Sequence, residues 1–507
     1  MAGKRNQLGA GVILSYFSQG LQILVTLFYT PIMLRLLGQS EYGLYQLVYS
    51  VVSYLTLFTF GFSSAYIKFY AQAKVEDDPD SALKKVNGMF LTVFSFFGLL
   101  VLILGIVLVI KTDVVLGKKL TSDELETCRV LMAILVTNCV IHFPTIVFQN
   151  YVIANEKFIC LQVLNLIGII INPCLTFPLL LIGFKSVSLA LVLLAISVIK
   201  FFTFAIYSVS KLKMRFDFHN MQMGLLKDVS KFSFFIFIES IVSTINISLD
   251  RFLLGRMVGS ISVAVYAVGG QINTLYTSLS TSISSVFTPR INAMVASGSK
   301  KRELSDLFIK VGKIQFSVLL LVLLGFTIFG KRFMSIWAGE GYENAYYVAL
   351  VLIWPNTINL IQNIAIEIQR AMGLQKYRSL MYLGIAIMNI IISCIFIVQW
   401  KEIGAALGTA VAWIIGSGFI MNWYYSRRIG LDIKKFWLEI LSMAKCGIPL
   451  IVFGVLMQHV IEKSSLCVYF IFIILFAVLY AILLYFFGLK KTERITIKRQ
   501  VIAKLKR

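Results

Sequence analysis

Charged side chains stand where a long apolar sequence leaves little room for them. Glu239 lies about two turns into a hydrophobic run, Asp250 and Arg251 lie near its far end, and Lys200 lies near the middle of the preceding run. Lys68 and Arg290 close two further runs, and Glu367 and Arg370 sit one helical turn apart at the end of another. A charge in mid-bilayer costs at least about 2.5–3.5 kcal/mol on insertion scales, so such residues usually serve a purpose. Two kinds of chemistry suit them. Cations at the mouth of a cavity bind an anionic headgroup such as a diphosphate through charge-assisted hydrogen bonds. A carboxylate inside a cavity carries a proton or cation, which makes Glu239 and Asp250 the candidates for ion coupling. The plainer alternatives are that Lys68, Arg290 and Arg370 are flanking charges that orient the chain, and that Asp250 and Arg251 neutralise each other or their neighbours.

Catalytic and metal chemistry finds no comparable support. The seven cysteines (Cys128, Cys139, Cys160, Cys174, Cys394, Cys446 and Cys467) are scattered singly, without metal or redox spacing, and the three histidines stand alone. No cofactor is expected. A membrane enzyme would need acids or histidines clustered on a sizeable loop, and no such loop is visible, so the chain is read as a non-enzyme.

Polar residues repeat at helical spacing. Ser15, Ser18, Gln19, Gln22, Thr26 and Thr30 form one stripe, and Glu239, Ser243, Asn246 and Asp250 form another. Between Gln271 and Thr288 the apolar residues keep to one face, and the rest is polar, beginning with Gln271, Asn273 and Thr274. A weaker stripe runs through Ser50, Ser53, Thr56, Thr59 and Ser63. Ser and Thr also serve as glue between membrane helices. Four such stripes together predict a hydrated cavity, with Gln22, Asn246, Gln271 and Asn273 among its lining.

The elements that must position these residues are membrane spans. The 507 residues are 58% hydrophobic and 14% charged, against about 25% charged in a soluble domain. Apolar runs occur at roughly 9–34, 42–68, 87–110, 129–153, 158–182, 187–209, 231–254, 262–289, 308–330, 345–369, 379–400, 404–426, 443–461 and 467–488. A bilayer needs about 20 apolar residues per helix, and a span in lipid must satisfy its own backbone. The expected fold is therefore an all-α integral membrane protein of about fourteen transmembrane helices. Spans 3, 9 and 14 are nearly all apolar and are expected to face lipid. Pro144, Pro173, Pro178 and Pro355 fall inside spans and predict kinks. The first run is too long for a cleaved signal peptide and is expected to be retained.

The net charge of +23 is not spread as a nucleic-acid surface would be. With the N-terminus inside, 34 Lys and Arg fall on cytoplasmic segments and 12 on outer ones. That is the positive-inside pattern, so both termini are expected in the cytoplasm. The basic tail after Leu489 is read as an orientation signal lying on anionic lipid. Nucleic acid is not an expected partner; membrane lipid is.

The halves of the sequence echo each other. Arg35-Leu36-Leu37-Gly38 with Tyr45 matches Arg256-Met257-Val258-Gly259 with Tyr266 at an offset of 221, and Lys185 matches Lys401 at 216. Two parallel six-helix repeats follow, residues 1–210 and 211–430, with two additional helices and the basic tail in 431–507. Parallel repeats of this kind form two bundles that rock about a central site.

The phrases Leu34-Arg35-Leu36-Leu37-Gly38, Glu41-Tyr42-Gly43-Leu44-Tyr45, Phe60-Gly61-Phe62 and Asp250-Arg251-Phe252-Leu253-Leu254-Gly255 carry a resemblance. With the six-plus-six-plus-two layout, the whole chain resembles the polysaccharide repeat-unit flippases of the multidrug/oligosaccharidyl-lipid/polysaccharide exporter superfamily. The resemblance implies a bacterial cytoplasmic-membrane transporter. Its substrate would be an undecaprenyl-diphosphate-linked oligosaccharide, moved from the inner to the outer leaflet for capsule or O-antigen synthesis. It also implies ion coupling, a polysaccharide polymerase as a candidate partner, and a cationic cavity, to which Arg35, Lys68, Arg251 and Arg290 would contribute here. Glu239 and Asp250 depart from a purely cationic lining. The alternative within the same fold is a multidrug or other small-molecule exporter, for which acidic residues should dominate the cavity.

Overall fold

The computed structural model describes residues 2–117, 119–218, 223–488 and 494; the basic tail beyond lies outside the described residues, as do some side chains within helices, those of Glu239 and Asn246 among them. Among the described residues there are helices and turns and no strand. Among the described residues, ten helical segments are long and apolar enough to cross a membrane, or eleven when a bent pair is taken as one span. The protein is a multi-pass membrane protein.

The chain folds as two compact units, Met1–Ala267 with Ile397–Ala405, and Val268–Phe396 with Ala406–Arg507. The first unit holds α1 (Ala2–Leu37), α2 (Gln39–Ser53), α3 (Phe62–Ala73), α4 (Pro79–Ile110), α5 (Thr112–Leu116), α6 (Ser122–Ala154), α7 (Phe158–Ile182), α8 (Lys185–Ile206), α9 (Met223–Met257) and the start of α10 (Ser260–Ala296). α6 is its hub, packing on α2, α3, α4 and α8. Its start is fixed by a capping box. The Thr121 hydroxyl accepts from the Glu124 amide, and the Glu124 side chain accepts from the Thr121 amide. Phe90, Phe94 and Phe143 are fully buried where α4 meets α6.

The second unit continues α10 and adds α11 (Lys301–Trp337), α12 (Glu343–Leu360), α13 (Asn363–Ala371), α14 (Gln375–Trp413), α15 (Met421–Tyr424), α16 (Ile433–Ala444), α17 (Gly447–Lys463) and α18 (Leu466–Leu483). Its hub is α11, which touches α12, α13, α16, α17 and α18. The sequence places this helix, span 9, against lipid; the structure does not. The apolar window of α11 is 67% buried, against 22% in α4 and 17% in the span that contains α18. An all-round apolar helix suits a protein interior as well as lipid, and the neighbours that enclose α11 come from far along the chain.

Two features of the backbone recur. Gly38 (φ 75°) and Gly259 (φ 134°) both adopt positive φ at the turn between two spans, a conformation open to glycine without steric cost. Lys185 and Lys401 both take φ 45°, rare for a residue with a Cβ. At Lys401 the break divides the long helix α14 in two. These are the positions matched in the two halves of the sequence.

Candidate functional site

Span 2 is not one continuous helix. After α2 the chain tightens into a 3-10 turn over Tyr54–Thr59, and Phe60 (φ 48°) and Gly61 (φ 69°) turn left-handed before α3 begins. Irregular backbone at membrane depth is tolerated where it is enclosed by protein or lines a water-filled cavity. A cavity lies beside it. About 360 Å³ of space opens between α2 and its 3-10 extension, α6 and α8, within the size range of small-molecule sites, about 300–1,000 Å³.

Each wall presents polar atoms at helical spacing. Asn138, His142, Thr145 and Gln149 lie on one face of α6, at steps of four, three and four residues. Tyr49, Ser53 and Thr56 face them from α2 and its extension, and Ser197 and Lys200 from α8. Several hydroxyls spend their protons on backbone or neighbours. Ser53 Oγ donates to the Ser50 carbonyl and lies 2.7 Å from Ser248 Oγ, Thr56 donates to the Ser53 carbonyl, and Thr145 to the Ile141 carbonyl. Their remaining lone pairs are acceptors. Asn138 Oδ1 is buried and accepts no hydrogen bond among the described residues. Lys200 is the one ammonium in the lining among the described residues, and its Nζ donates at 3.4 Å to Asn165 of α7. Its stem lies against Gly168, where a Cβ would come within 3.5 Å of Lys200 Cε. Among the described residues no carboxylate lines the crevice.

The residues singled out in the sequence are distributed differently. Asp250 is buried and accepts from the Tyr266 hydroxyl at 2.5 Å. Arg251 donates to Gln46 at 3.0 Å, and Gln46 donates to the Tyr42 hydroxyl. Each of these two charges is therefore engaged by neutral side chains of the same unit. Gln22 is exposed on α1 and donates to Thr26 at 3.4 Å. Arg35 and Lys68 are both exposed, but they stand at opposite ends of a 35-residue span, Arg35 before its start and Lys68 near its end. One headgroup cannot touch both. Lys68 Nζ lies 5.4 Å from the centre of the Phe69 ring. The side chains of Glu239 and Asn246 lie outside the described residues.

In the second unit, Arg290 is exposed at the end of α10, near Thr288, which donates to Glu367, itself paired with Arg370 at 2.9 Å. Gln271 is half-buried. Asn273 accepts from Asn356 of α12 at 2.9 Å, and the same amide reaches Thr277 at 3.0 Å. Tyr276 meets Thr357, while Ser280 donates to the Leu360 carbonyl and receives Gln315 and Asn363. A large part of the polar face of α10 is thus helix-to-helix hydrogen bonding. Thr274, Thr281 and Ser285 stay exposed, with hydroxyls bonded back to their own helix. Among the described residues no group of three His, Cys, Asp or Glu is placed to hold a metal.

The crevice residues on α6 are the ones that sequence reading passed over. Their signal was the repeat of Asn138, His142, Thr145 and Gln149 inside an otherwise apolar run, together with Lys200.

Comparison with known proteins places this architecture. Residues 8–295 match the family described as "Polysaccharide biosynthesis protein", and the chain belongs to that family. It is 20% identical over 397 residues to a Shigella flexneri protein named "Putative O-antigen transporter", spanning 78% of this chain and 91% of that one. The fold is that of the lipid II flippase MurJ in its inward closed conformation, with TM-score 0.71 at 18% identity over 94% of this chain and 97% of that one. It is also that of an inward-facing multidrug resistance MATE transporter of the MOP superfamily, with TM-score 0.63 at 16% identity over 82% and 96% of the respective chains.

Proposed function

We propose that this protein is a flippase that carries an undecaprenyl-diphosphate-linked oligosaccharide from the inner to the outer leaflet of the bacterial cytoplasmic membrane, for assembly of a capsule- or O-antigen-type polysaccharide. The observation that carries the reading is a roomy polar crevice inside a membrane bundle of the polysaccharide biosynthesis family. Hydroxyls, carboxamides and a tyrosine ring are the groups that hold sugars, and burying so many of them in lipid would be costly without a polar ligand or water. The Shigella relative and the lipid II flippase fold support the same substrate class.

In this reading both termini are cytoplasmic and two six-helix repeats, 1–210 and 211–430, alternate access by rocking, with the two additional C-terminal spans, 443–461 and 467–488, beside them. Lys68 and Arg290 meet the diphosphate at the inner mouth, the oligosaccharide enters the polar lining, and the polyprenyl tail remains in lipid. Arg35 and Arg251 belong to the outer half of the path. Glu239 and Asp250 are the candidates for ion coupling. A polysaccharide polymerase would receive the product.

The test is reconstitution in liposomes with a labelled undecaprenyl-diphosphate oligosaccharide, following its passage between leaflets. The expected result is fast passage that Arg290→Ala and Glu239→Gln slow. Normal passage in a Lys68→Gln, Arg290→Gln double variant would remove the inner-mouth assignment. Export of organic cations without passage of the lipid would favour the multidrug alternative, which the MATE-like fold admits.

A further inference from the structure

The crevice between α2, α6 and α8 has a chemistry more specific than polarity. It holds an ammonium at membrane depth, Lys200, whose one hydrogen bond given by the structure is a 3.4 Å contact to a neutral carboxamide. No carboxylate lines the same space among the described residues. Elsewhere in the protein, cations at depth are met differently. Lys313 pairs with the carboxylate of Glu439 at 3.2 Å with both side chains largely buried. Charged groups inside a membrane pair with one another, with backbone carbonyls or with what passes through a pathway. The Lys200 ammonium faces a cavity large enough for a ligand, so its counter-charge can come from that ligand.

The remaining lining indicates the kind of ligand. Asn138 and Gln149 offer carboxamides three turns apart on one face of α6, His142 offers ring nitrogens between them, and Ser53, Thr56 and Thr145 offer acceptor oxygens. Tyr49 supplies a half-exposed ring at the rim. A bare inorganic anion needs few of these. A disaccharide with a carboxylate-bearing residue uses them together, with hydroxyls for the carboxamides spread along α6, an apolar face for the ring and an acid group for the ammonium.

We propose that this crevice is a subsite for an anionic sugar, a uronate or similar carboxylate-bearing residue of the transported oligosaccharide, with Lys200 holding the carboxylate, Asn138 and His142 holding its hydroxyls, and Gln149, about 16 Å from Asn138 along α6, meeting the adjacent sugar. The proposal rests on the flippase reading for where the sugar comes from, but not for whether it binds. A planar carboxylate accepts a charge-assisted hydrogen bond from a lysine, and such bonds are about twice as strong as neutral ones.

Binding is measured on the full chain in detergent by calorimetric titration with a glucuronate-terminated disaccharide and with its glucose-terminated counterpart. The acidic disaccharide is expected to bind about tenfold more tightly, which is one decade in Kd. Lys200→Met is expected to bring the ratio of the two affinities to about one, and Lys200→Arg, which keeps the charge, to preserve it. A single symmetrical elution peak for each variant confirms that like is compared with like. Equal affinity for the two sugars in the parent protein, or a preference that survives in Lys200→Met, overturns the proposal. So does saturation of the site by chloride alone with neither sugar bound, which would make it a small-anion site. The same sugars attached to undecaprenyl diphosphate in liposomes separate the two readings. A uronate preference in binding without leaflet passage sinks the flippase and leaves the subsite, whereas equal passage of both lipids with no binding preference does the reverse.

Discussion

The polar face of α10 and the polar crevice of α2, α6 and α8 look alike as lists of residues and differ in what their atoms meet. On α10, Asn273 and Thr277 share the Asn356 amide, Tyr276 meets Thr357, and Ser280 is ringed by Leu360, Gln315 and Asn363. Those groups satisfy one another across helices, as polar residues do when they hold membrane helices together. In the crevice, the Asn138 oxygen accepts nothing among the described residues and the Lys200 ammonium has one long neutral contact, yet 360 Å³ of space adjoins them. Polarity at depth is therefore two things in this protein, cement in one region and a waiting surface in the other. Substitutions should separate them, the first acting on stability and the second on ligand.

The largest stability effect is expected outside both regions and calibrates them. Lys313 and Glu439 form a buried pair between α11 and α16, with side chains 8% and 14% exposed. Lys313→Ala leaves Glu439 buried without it and is expected to cost about 3–5 kcal/mol, read as a lower midpoint of thermal unfolding in detergent. A Lys313→Met, Glu439→Met double variant should recover most of that loss. If the single variant unfolds like the parent, the pair is not the fixed contact described.

The cement comes next. Asn356→Leu removes two hydrogen bonds to α10 and is expected to cost about 1–2 kcal/mol. Sugar binding at the crevice should be unchanged once the folded fraction is allowed for. A loss of binding in fully folded Asn356→Leu would break the distinction between the two regions.

A smaller effect is expected where equivalent turns of the two sequence halves meet. Ser40 and Ser260 each donate to Glu124 Oε1 at 2.7 Å, and the backbone of Ser260 packs directly on Gly43. Ser260→Ala should cost about 0.5–1 kcal/mol, and Ser40→Ala in the same chain should add less than its single effect, because both report on one carboxylate. Full additivity in a double-mutant cycle would contradict the shared contact.

The crevice itself should give the smallest stability change. Asn138→Ala and Gln149→Ala are expected within about 0.5 kcal/mol of the parent in unfolding, since both line open space and the Asn138 oxygen accepts nothing among the described residues. Their effect should fall on sugar affinity instead. Strong destabilisation with normal binding would make the crevice cement as well.

These differences explain what could be read from the sequence. The membrane fold was legible because length and apolarity are local properties, and the sequence match of Gly38 with Gly259 has a structural counterpart in two positive-φ glycines. The enclosure of α11 was not legible, because its neighbours α16, α17 and α18 lie more than a hundred residues away in the chain. The stripe on α10 was conspicuous because hydroxyls dominate it, yet its partners on α11, α12 and α13 could not be seen. The stripe on α6 was the reverse case. Asn138, His142, Thr145 and Gln149 are diluted by apolar residues, and only the cavity gathers them with Lys200 and the extension of α2.

The most direct measurement is leaflet passage of a labelled undecaprenyl-diphosphate oligosaccharide in liposomes containing the full chain, compared with empty liposomes and with the Arg290→Ala variant. The account predicts rapid passage in the parent protein and slower passage in the variant. Folded, monodisperse protein that moves no such lipid under any imposed ion gradient would contradict it.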